Sequence, residues 1–503
     1  MTDPFKSIID DVRNGSSDRR IWPDHNRPFV SVELAPILIA NEQPTGDTKT
    51  GLAGACALRK PLCGGKYGPD DALQLLNSYY FIGKNARETA IFRIDGDGSA
   101  SFVPEKEFKL EVQNIFVLKK ASNGSTISIP AEKFWKEHPL RHQRVMVFKP
   151  GDTTQPWEFN LWRGFGVHPR EGWQKQRSLL RHIYEVICRH DKEKFKYLMK
   201  YLAWCVQHPN KHSSVVLVLK SRKQGTGKTT LGNVMLDIFG EHGARIDDKE
   251  RLLGRFNDFL ETICFVLLEE ATFAGDLKAA DKLKSLVTGD TLQVERKFGA
   301  CCQVPNRLKS IATTNHDHAV HAGVQDRRNV VFDVSDARAG DRAWFDKLHQ
   351  DLASGGTSEF LHLLKNLNLG GWHPARNILK TAETIEQQRM SGDSVSQWAQ
   401  ACIDADAIVG AGRGPHGIDT TFDLGMPISL AALYEAYKTF CKQYPLGLVT
   451  FGKACTDMFG PRKRLKALQT NGTGNKKRRP WGYYVPTGKK WQEKLDARLG
   501  IKK

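Results

Sequence analysis

The sequence predicts an α/β fold: a parallel sheet flanked by helices, with an N-terminal α+β region before it and a C-terminal winged-helix-like domain after it. Three observations predict this. Residues 213–340 alternate apolar strand patterns with helical patterns, which is typical of a parallel sheet. Short alternating runs separated by Gly, Asn and Pro turns precede that span. An amphipathic helix, a second helix and a strand follow it.

The chain is long enough for several domains. Its 503 residues exceed the length at which a single hydrophobic core stops growing, and 40% of them are hydrophobic. Six segments are predicted: an N-terminal α+β region of unknown role (1–165), a helical collar layer (166–212), a central α/β core (213–340), a helical region (341–410), a glycine-rich linker (411–427) and a basic winged-helix-like domain (428–503).

The composition favours a polyanionic partner and a reducing compartment. There are 74 Lys and Arg against 56 Asp and Glu, a net charge of +18; this is typical of nucleic-acid binding, although ribosomal or membrane-surface partners fit the number equally. The ten Cys form no C-x-x-C pair and several lie in apolar patterns, which indicates buried thiols. No basic leader precedes an apolar core, and no apolar run approaches the ~18 residues of a membrane span. We expect a cytoplasmic protein.

A phosphate-binding loop is predicted in "VVLVLKSRKQGTGKTTLGNVMLDIFG", between a strand pattern and a helix. Such a loop needs glycines, inward backbone N–H groups, a lysine for the terminal phosphates and a hydroxyl for Mg²⁺. We expect ATP to be bound by Gly225, Thr226, Gly227, Lys228, Thr229 and Thr230. The full pattern, G-x-x-x-x-G-K-[ST], has glycine at position 222, where this chain has Arg222. The arginine would be either an extra cation near the phosphates or a cap of the strand. The alternative is an ordinary strand-turn-helix.

Polar residues end two later strand patterns. Glu269 and Glu270 end "TICFVLLEEAT". Such a pair suits one acid that orders the Mg²⁺ shell and one that polarises the attacking water. Asn315 ends "LKSIATTN", where an amide can hold water against a γ-phosphate. Taken alone, the first pattern also fits a strand that ends in solvated acids.

An arginine pair precedes a further strand in "DRRNVVFDV". The guanidinium of Arg327 or Arg328 suits a transition-state contact to phosphate, a contact that a neighbouring subunit often supplies. The alternative is a solvated edge of the sheet.

The order of these motifs, over about 90 residues from Lys228 to Asn315, resembles that of superfamily 3 helicases, the hexameric AAA+ motors of small viruses, phages and mobile elements. The resemblance implies an AAA+ P-loop NTPase core that uses ATP and Mg²⁺ in a homo-hexameric ring on single-stranded or forked DNA. It implies that Lys228 binds the β- and γ-phosphates, that Thr229 and Glu269 hold Mg²⁺, and that Glu270 activates water. Asn315 would then sense the γ-phosphate, and Arg327, with Arg328 as second choice, would reach the neighbour's nucleotide.

The segment "VERKFG" is similar to the channel hairpin of that family. The similarity places Lys297 and Phe298, next to Arg296, where they would contact single-stranded nucleic acid. Phe298 stands where several viral relatives have histidine, and a plain surface hairpin is the alternative.

The resemblance extends over about residues 80–486 to primase-helicases of the phage and poxvirus type, and we expect no active primase module. The only candidate for polymerising aspartates is "FRIDGDGS", with Asp95 and Asp97, and this pattern is typical of a tight hairpin turn. We therefore expect no primer synthesis.

The C-terminal segment interleaves basic residues with Trp481, Tyr483, Tyr484 and Trp491, which favours nucleic-acid contact over a solvated tail. The basic residues assigned to this contact are Lys476, Lys477, Arg478 and Arg479.

The sequence thus predicts an ATP-dependent DNA helicase that acts in replication of a phage or mobile element in the bacterial cytosol, with a primase and a polymerase as possible partners and no membrane partner. Two alternatives stay open. One is an ATP-dependent origin-binding or regulatory protein that does not unwind DNA. The other is an AAA+ switch or defence ATPase that recruits a different effector.

Overall fold

The fold is described from a computed structural model, for residues 62, 64–84, 89–122, 124–247, 254, 257–269, 277–295, 301–316, 328–410, 424–441, 445–465 and 480–501. In these ranges the helices are α1 (Pro69–Tyr79), α2 (Glu105–Val112), α3 (Ala131–Glu137), α4 (Arg177–His182), α5 (Lys192–Gln207), α6 (Lys228–Phe239), α7 (Leu277–Thr288), α8 (Arg342–Asp351), α9 (Thr357–Asn366), α10 (Ala382–Met390), α11 (Ser394–Asp404), α12 (Leu430–Cys441), α13 (Leu448–Phe459) and α14 (Gly488–Arg498). Shorter π turns are formed by Ile183–Ile187 and Leu352–Gly356, and 3-10 turns by Gly240–His242 and Asp258–Thr262.

The strands of the same ranges are β1 (Gly65–Tyr67), β2 (Tyr80–Lys84), β3 (Thr89–Ile94), β4 (Ala100–Val103), β5 (Ile115–Lys120), β6 (Thr126–Pro130), β7 (Gln143–Val147), β8 (Glu158–Asn160), β9 (Val216–Lys220), β10 (Gly243–Ile246), β11 (Phe265–Leu268), β12 (Thr291–Val294), β13 (Cys302–Pro305), β14 (Lys309–Thr314), β15 (Asn329–Asp333), β16 (Pro427–Ser429), β17 (Lys463–Arg464) and β18 (Trp481–Tyr484).

The N-terminal unit has two sheets, ordered β1-β5-β6 and β4-β3-β2-β7-β8. The predicted turn lies between β3 and β4, where the Asp95 N–H donates to Ser99 O at 2.8 Å and Gly98 has a φ of +80°. Arg163 Nη1 donates to Gly98 O at 2.7 Å and so attaches the turn to the chain that follows the unit. The prediction that "DGDGS" forms a tight hairpin turn is confirmed.

The helical layer before the sheet is interrupted between α4 and α5. Arg189 and His190 have φ values of 51° and 59°, which end the helical path after α4 and its π turn. Asp191 then caps α5, because its Oδ1 accepts hydrogen bonds from the backbone N–H groups of Glu193 and Lys194.

The central sheet has five parallel strands in the order β10-β11-β14-β9-β15. Alternate residues face two different apolar cores. Leu217 and Leu219 lie in a core with α5, α6 and α9, whereas Val216 and Val218 lie in a core with α7 and β12. Both faces are covered, which explains the continuous apolar runs in β9, β11 and β15. The predicted parallel sheet flanked by helices is confirmed.

A buried histidine joins the N-terminal unit to this sheet. His242 Nδ1 donates to Thr262 O and its Nε2 accepts the Arg163 backbone N–H, both at 2.9 Å. The ring stacks on Trp162 with 4.5 Å between ring centroids. Burial lowers the pKa of His242 to about 4. The ring is therefore neutral at pH 7, and its 3.5 Å approach to Glu241 is not an ion pair there.

The C-terminal core is built from α11 to α14 and the antiparallel sheet β16-β18-β17. Trp398 of α11 lies at its centre, with ring centroids 5.5 Å from Phe451 and 6.3 Å from Trp491. Helices α8 and α9 instead pack on the central sheet through residues such as Leu348 and Phe360. The predicted helical region 341–410 is thus shared between two cores, because helical periodicity shows that a helix has an apolar face without showing which core that face meets.

The predicted linker 411–427 falls largely outside the described residues, which resume at residue 424, and β16 begins at Pro427. No helix of the described ranges combines the length and apolarity needed to cross a membrane. The described cysteines are free thiols, and burial raises the pKa of Cys205 to about 12 and that of Cys264 to about 11. These two are buried, protonated thiols, as predicted.

Candidate nucleotide-binding site

The loop between β9 and α6 has a backbone suited to phosphate. Gly225 and Gly227 have φ values of +70° and +81°, a left-handed conformation that residues with a side chain rarely adopt. A Cβ at Gly227 would also lie 2.5 Å from His182 Cε1. Glycine is therefore needed at both positions for conformation, and at Gly227 for space as well.

Lys228 begins α6, and its ammonium group is bonded to the loop and to the neighbouring strand. The residue is only 7% exposed. Its Nζ donates to Ser221 Oγ, to Lys223 O at 3.4 Å and to Asn315 Oδ1 at 2.8 Å. The structure thus brings together two residues that the sequence predicted for one site although they lie 87 positions apart.

The hydroxyl groups of the loop have different surroundings. Thr226 is buried, with its Oγ1 3.2 Å from Ser221 Oγ inside the loop. Thr229 and Thr230 are half-buried in the first turn of α6, and the Thr230 N–H donates to Gly227 O at 3.2 Å. Thr229 therefore lies in the helical turn where the sequence places a Mg²⁺ ligand.

The strand order explains why Asn315 reaches Lys228. β14 lies directly beside β9, with Thr314 opposite Lys220. Because parallel strands end at the same edge of a sheet, the loop after β9 and the residue after β14 leave the sheet side by side. The Ser221 N–H also donates to Thr314 O at 3.2 Å, which continues the pairing past the end of β9.

Glu269 follows β11 at the same edge, one strand beyond β14. It is half-buried, and its Oε2 lies 3.5 Å from Arg245 Nη1. Arg245 Nη2 donates to Asn233 Oδ1 of α6 at 2.6 Å, so the arginine connects the acid to the helix that follows the loop. The second predicted acid, Glu270, lies outside the described residues.

The described residues contain no cluster of three or more His, Cys, Asp and Glu side chains that could hold a metal. Mg²⁺ at phosphate sites commonly takes most of its ligands from phosphate oxygens and water, so the two predicted ligands Thr229 and Glu269 do not require such a cluster.

Arg328 lies at the opposite edge of the sheet. Its carbonyl accepts the Val216 N–H at 2.7 Å, at the start of β9, whereas the loop leaves from the end of that strand. The five residues of β9 span about 16 Å at ~3.3 Å per residue, farther than an arginine side chain extends. Arg328 therefore cannot reach a phosphate in the loop of its own chain. Arg327 lies outside the described residues.

The predicted hairpin is present as an antiparallel pair. Thr291 of β12 is paired with Pro305 of β13, and Val294 is paired with Cys302. Leu292 and Val294 are buried in the core beneath the sheet, which anchors the hairpin. Its tip, with the predicted DNA-binding residues Arg296, Lys297 and Phe298, lies outside the described residues.

Two of the four C-terminal aromatic residues are placed for an external contact. Trp481 and Tyr484 are 42% and 63% exposed, and the Trp481 ring lies 4.7 Å from the Arg464 guanidinium. The prediction was wrong for Tyr483 and Trp491, which are buried in the C-terminal core. Their side chains face other elements of that core: the Tyr483 hydroxyl, for example, donates to a carbonyl of α13. The basic residues Lys476, Lys477, Arg478 and Arg479 lie outside the described residues.

Sequence reasoning missed three residues of the site. Ser221 contacts Lys228, His182 Nε2 lies 3.2 Å from Gly227 O, and Trp344 Nε1 lies 3.2 Å from His182 Nδ1. The sequence signal for His182 is a histidine at an apolar position of the helical pattern "SLLRHIYEVIC". That signal indicates burial and gives no partner.

Arg222 is compatible with the loop. It is not among the described residues that have positive φ, so this position does not require glycine. Its side chain is exposed. The departure from the full phosphate-loop pattern thus leaves the conformations of Gly225 and Gly227 intact.

Residues 219–328 match a protein family that is described as a family of unknown function, DUF5906. The match includes the loop, the strand that precedes Glu269 and the strand that precedes Asn315. The chain is also 25% identical, over 223 residues, to a DNA primase-polymerase of Nitratiruptor phage NrS-1. That match covers 43% of this chain but 28% of the phage protein, so the chain matches less than a third of that relative's length.

Solved structures of the C-terminal region of the NrS-1 protein have a similar fold. One apo structure has a TM-score of 0.56 at 14% identity and covers 83% of this chain and 99% of that chain. An A-form apo structure has a TM-score of 0.52, also at 14% identity, and covers 81% and 96%. At these identities the likeness shows the fold alone. The chain therefore has a mixed α/β fold like that of the NrS-1 C-terminal region.

Proposed function

We propose that this chain is an ATP-dependent DNA helicase of the superfamily 3 type that translocates on single-stranded DNA during replication of a phage or other mobile element. The observation that carries the proposal is the 2.8 Å contact between Lys228 Nζ and Asn315 Oδ1. It joins the group that would bind the terminal phosphates to the group that would sense the γ-phosphate. An ordinary strand-turn-helix has no need of this contact.

The residues of the loop fit ATP with Mg²⁺. The left-handed glycines and the amino end of the 12-residue helix α6 present backbone N–H groups to an anion. When bound, Mg²⁺ supplies positive charge that neutralises the phosphates. The Thr229 hydroxyl and the Glu269 carboxylate are the groups that would hold it.

The Lys228–Asn315 bond suggests how the chain responds to nucleotide. Lys228 Nζ would exchange Asn315 Oδ1 for phosphate oxygens, since a charge-assisted bond to an anion is stronger than one to an amide. The released amide of Asn315 would then orient a water molecule, from which Glu270 would take a proton. Arg327 or Arg328 would stabilise the transition state from a neighbouring copy.

The chain also offers a direct path from Asn315 to the DNA-contacting hairpin. β13 of the hairpin ends at Pro305, and β14, which leads to Asn315, begins at Lys309. Asn306 fixes the connection, because its Nδ2 donates to Leu286 O and Gly289 O at 2.7 Å. A shift of β14 on nucleotide exchange would therefore be passed to the hairpin. The hairpin would then move together with the DNA strand that Lys297 and Phe298 contact.

Other features support DNA as the partner. The net charge is +18, and the exposed Trp481 ring beside Arg464 offers a stacking surface next to a cation. The phage relative is named a DNA primase-polymerase. The partners we propose are single-stranded or forked DNA, a homo-hexameric ring of this chain, and the primase and polymerase of the same replication system.

The test is a forked-duplex unwinding assay with 5′ and 3′ tails, with and without ATP. We expect unwinding by the wild type and a loss of roughly 100-fold or more in Lys228→Ala, because the other cations of the loop, Arg222 and Lys223, are exposed, whereas the Lys228 ammonium is buried beside Asn315. Lys223→Ala is the matched control. Its side chain is 66% exposed on the same loop, and it should unwind within about twofold of wild type.

Full unwinding by Lys228→Ala would overturn the proposal. ATP hydrolysis that depends on DNA but occurs without unwinding would instead favour the origin-binding or regulatory alternative. Hydrolysis that does not respond to single-stranded DNA would favour the switch or defence ATPase.

A further inference from the structure

A buried histidine contacts the phosphate loop from the side of the protein interior. His182 ends α4 and is 0% exposed. Its Nε2 lies 3.2 Å from Gly227 O. The contact is close, since a Cβ at Gly227 would lie 2.5 Å from His182 Cε1 and 2.7 Å from Phe345 Cε1. The peptide that joins the loop to α6 is therefore held against this ring.

The hydrogen bonds fix the tautomer of His182. The indole N–H of Trp344, which can only donate, lies 3.2 Å from His182 Nδ1. Nδ1 must accept this bond, so the proton is on Nε2, which donates to Gly227 O. Burial lowers the pKa of His182 to about 4, which keeps the ring neutral at physiological pH.

Trp344 is itself held in place. The Arg181 guanidinium lies 4.8 Å from its ring centroid and the Arg338 guanidinium lies 4.3 Å from it. Cations at this distance from an indole ring stabilise its position. The orientation of His182 thus depends on α8, which carries Trp344, as well as on α4.

Peptide geometry connects this support to the phosphate site. In a planar trans peptide the carbonyl and the following N–H point in opposite directions. A Gly227 carbonyl that faces His182 therefore directs the Lys228 N–H away from the interior, to the side on which the loop would hold phosphate. We propose that His182 is a positioning residue for nucleotide binding, which fixes the Gly227–Lys228 peptide so that its N–H is ready for a phosphate oxygen; this rests on the proposed function.

The helix around His182 is irregular in a way that fits this role. A π turn, Ile183–Ile187, begins directly after the histidine, and the Cys188 N–H donates to Ile183 O at 2.9 Å. Such turns add a residue to the helical path and are frequent at functional sites.

The experiment measures binding of a fluorescent ATP analogue with Mg²⁺ to the full chain, together with steady-state ATP hydrolysis. His182→Phe keeps a ring but removes the donor, and we expect affinity and 1/KM to fall roughly tenfold with a smaller change in kcat. His182→Gln restores an N–H donor near Nε2 and should recover most of the affinity. Trp344→Phe, which removes the bond that fixes the tautomer, should give an intermediate loss.

His242→Gln is the control, because it removes another buried, neutral histidine away from the loop, and it should bind the analogue as the wild type does. Equal affinity of His182→Phe and wild type would overturn the inference, as would an equal loss in His182→Phe and His182→Gln. If His182→Phe does not fold, Trp344→Phe provides the test. An affinity of Trp344→Phe for the analogue equal to that of the wild type would contradict the inference.

The failure of the proposed function looks different. A wild type that does not bind the analogue, or a Lys228→Ala variant that binds it as well as wild type, contradicts the nucleotide site itself. The inference about His182 fails alone when Lys228→Ala loses binding and the His182 variants do not.

Discussion

At the residue scale, the acceptor that faces Lys228 decides how easily its ammonium group can move to phosphate. Asn315 Oδ1 is a neutral acceptor at 2.8 Å. In Asn315→Asp the acceptor is a carboxylate, which attracts an ammonium group more strongly than a neutral amide does and repels phosphate. We expect the KM for ATP to rise roughly tenfold in Asn315→Asp, together with a fall in kcat.

Asn315→Ala is the matched variant, since it removes the amide without adding charge. It should lower kcat by about 100-fold and leave the KM within about threefold of wild type. Steady-state ATP hydrolysis at varied ATP concentrations checks both variants. Equal KM values for Asn315→Asp and Asn315→Ala would show that Asn315 does not compete with phosphate for Lys228.

The residues of the site could be predicted to different extents. Lys228 and Thr229 belong to a local motif, and Asn315 ends a strand pattern, so each is visible in a short stretch of sequence. The bond between His182 and Gly227 depends on how α4 packs against the loop, which local patterns do not contain. Arg222 is the opposite case: the sequence pattern asks for glycine there, and the backbone conformation does not need it, whereas the choice between an extra cation and a strand cap stays a prediction.

At the element scale, the β12–β13 hairpin has anchored strands, and its tip carries the predicted DNA contact. Lys297→Ala would remove one proposed contact to a DNA phosphate without altering the buried Leu292 and Val294. We expect unwinding to fall at least tenfold while ATP hydrolysis without DNA stays within about twofold of wild type. The measurement is unwinding and hydrolysis in parallel, with and without single-stranded DNA.

Lys284→Ala is a suitable control, because this lysine is exposed on the neighbouring helix α7. It should match the wild type in every measurement. If Lys297→Ala also matched the wild type, the segment would be the plain surface hairpin that the sequence left open.

Elements were easier to predict than their packing partners. Apolar periodicity located the strands of the central sheet, because it depends on neighbouring residues. It did not show that α11 joins the C-terminal core through Trp398, or that Tyr483 and Trp491 face inward. A stretch of alternating basic and aromatic residues looks the same whether its aromatic side chains point to solvent or to a core.

At the scale of the whole molecule, Arg328 and the loop after β9 lie at opposite edges of one sheet. Arg328 is bonded to the start of β9 and Lys228 follows its end, so under the proposed function the two residues of one chain would serve different sites. A ring with a head-to-tail interface would bring the arginine edge of each copy to the loop edge of the next. Parallel strand order therefore favours an active site shared between copies.

This arrangement predicts recovery of activity on mixing two inactive proteins. Lys228→Ala lacks the proposed phosphate-binding lysine, and Arg327→Ala/Arg328→Ala lacks the proposed transition-state contact, so each alone should hydrolyse ATP roughly 100-fold more slowly than wild type. In mixed rings an intact Lys228 meets a neighbour's intact arginines at some interfaces. After random subunit exchange at equal concentrations, we expect about a quarter of wild-type hydrolysis, since half of the loops are intact and half of their neighbours carry the arginines.

A Lys228→Ala/Arg327→Ala/Arg328→Ala chain is the control, because it can supply neither group and its mixture with the double-arginine variant should stay inactive. Mixtures without recovery, from proteins that each assemble as wild type does, would place the catalytic arginine elsewhere.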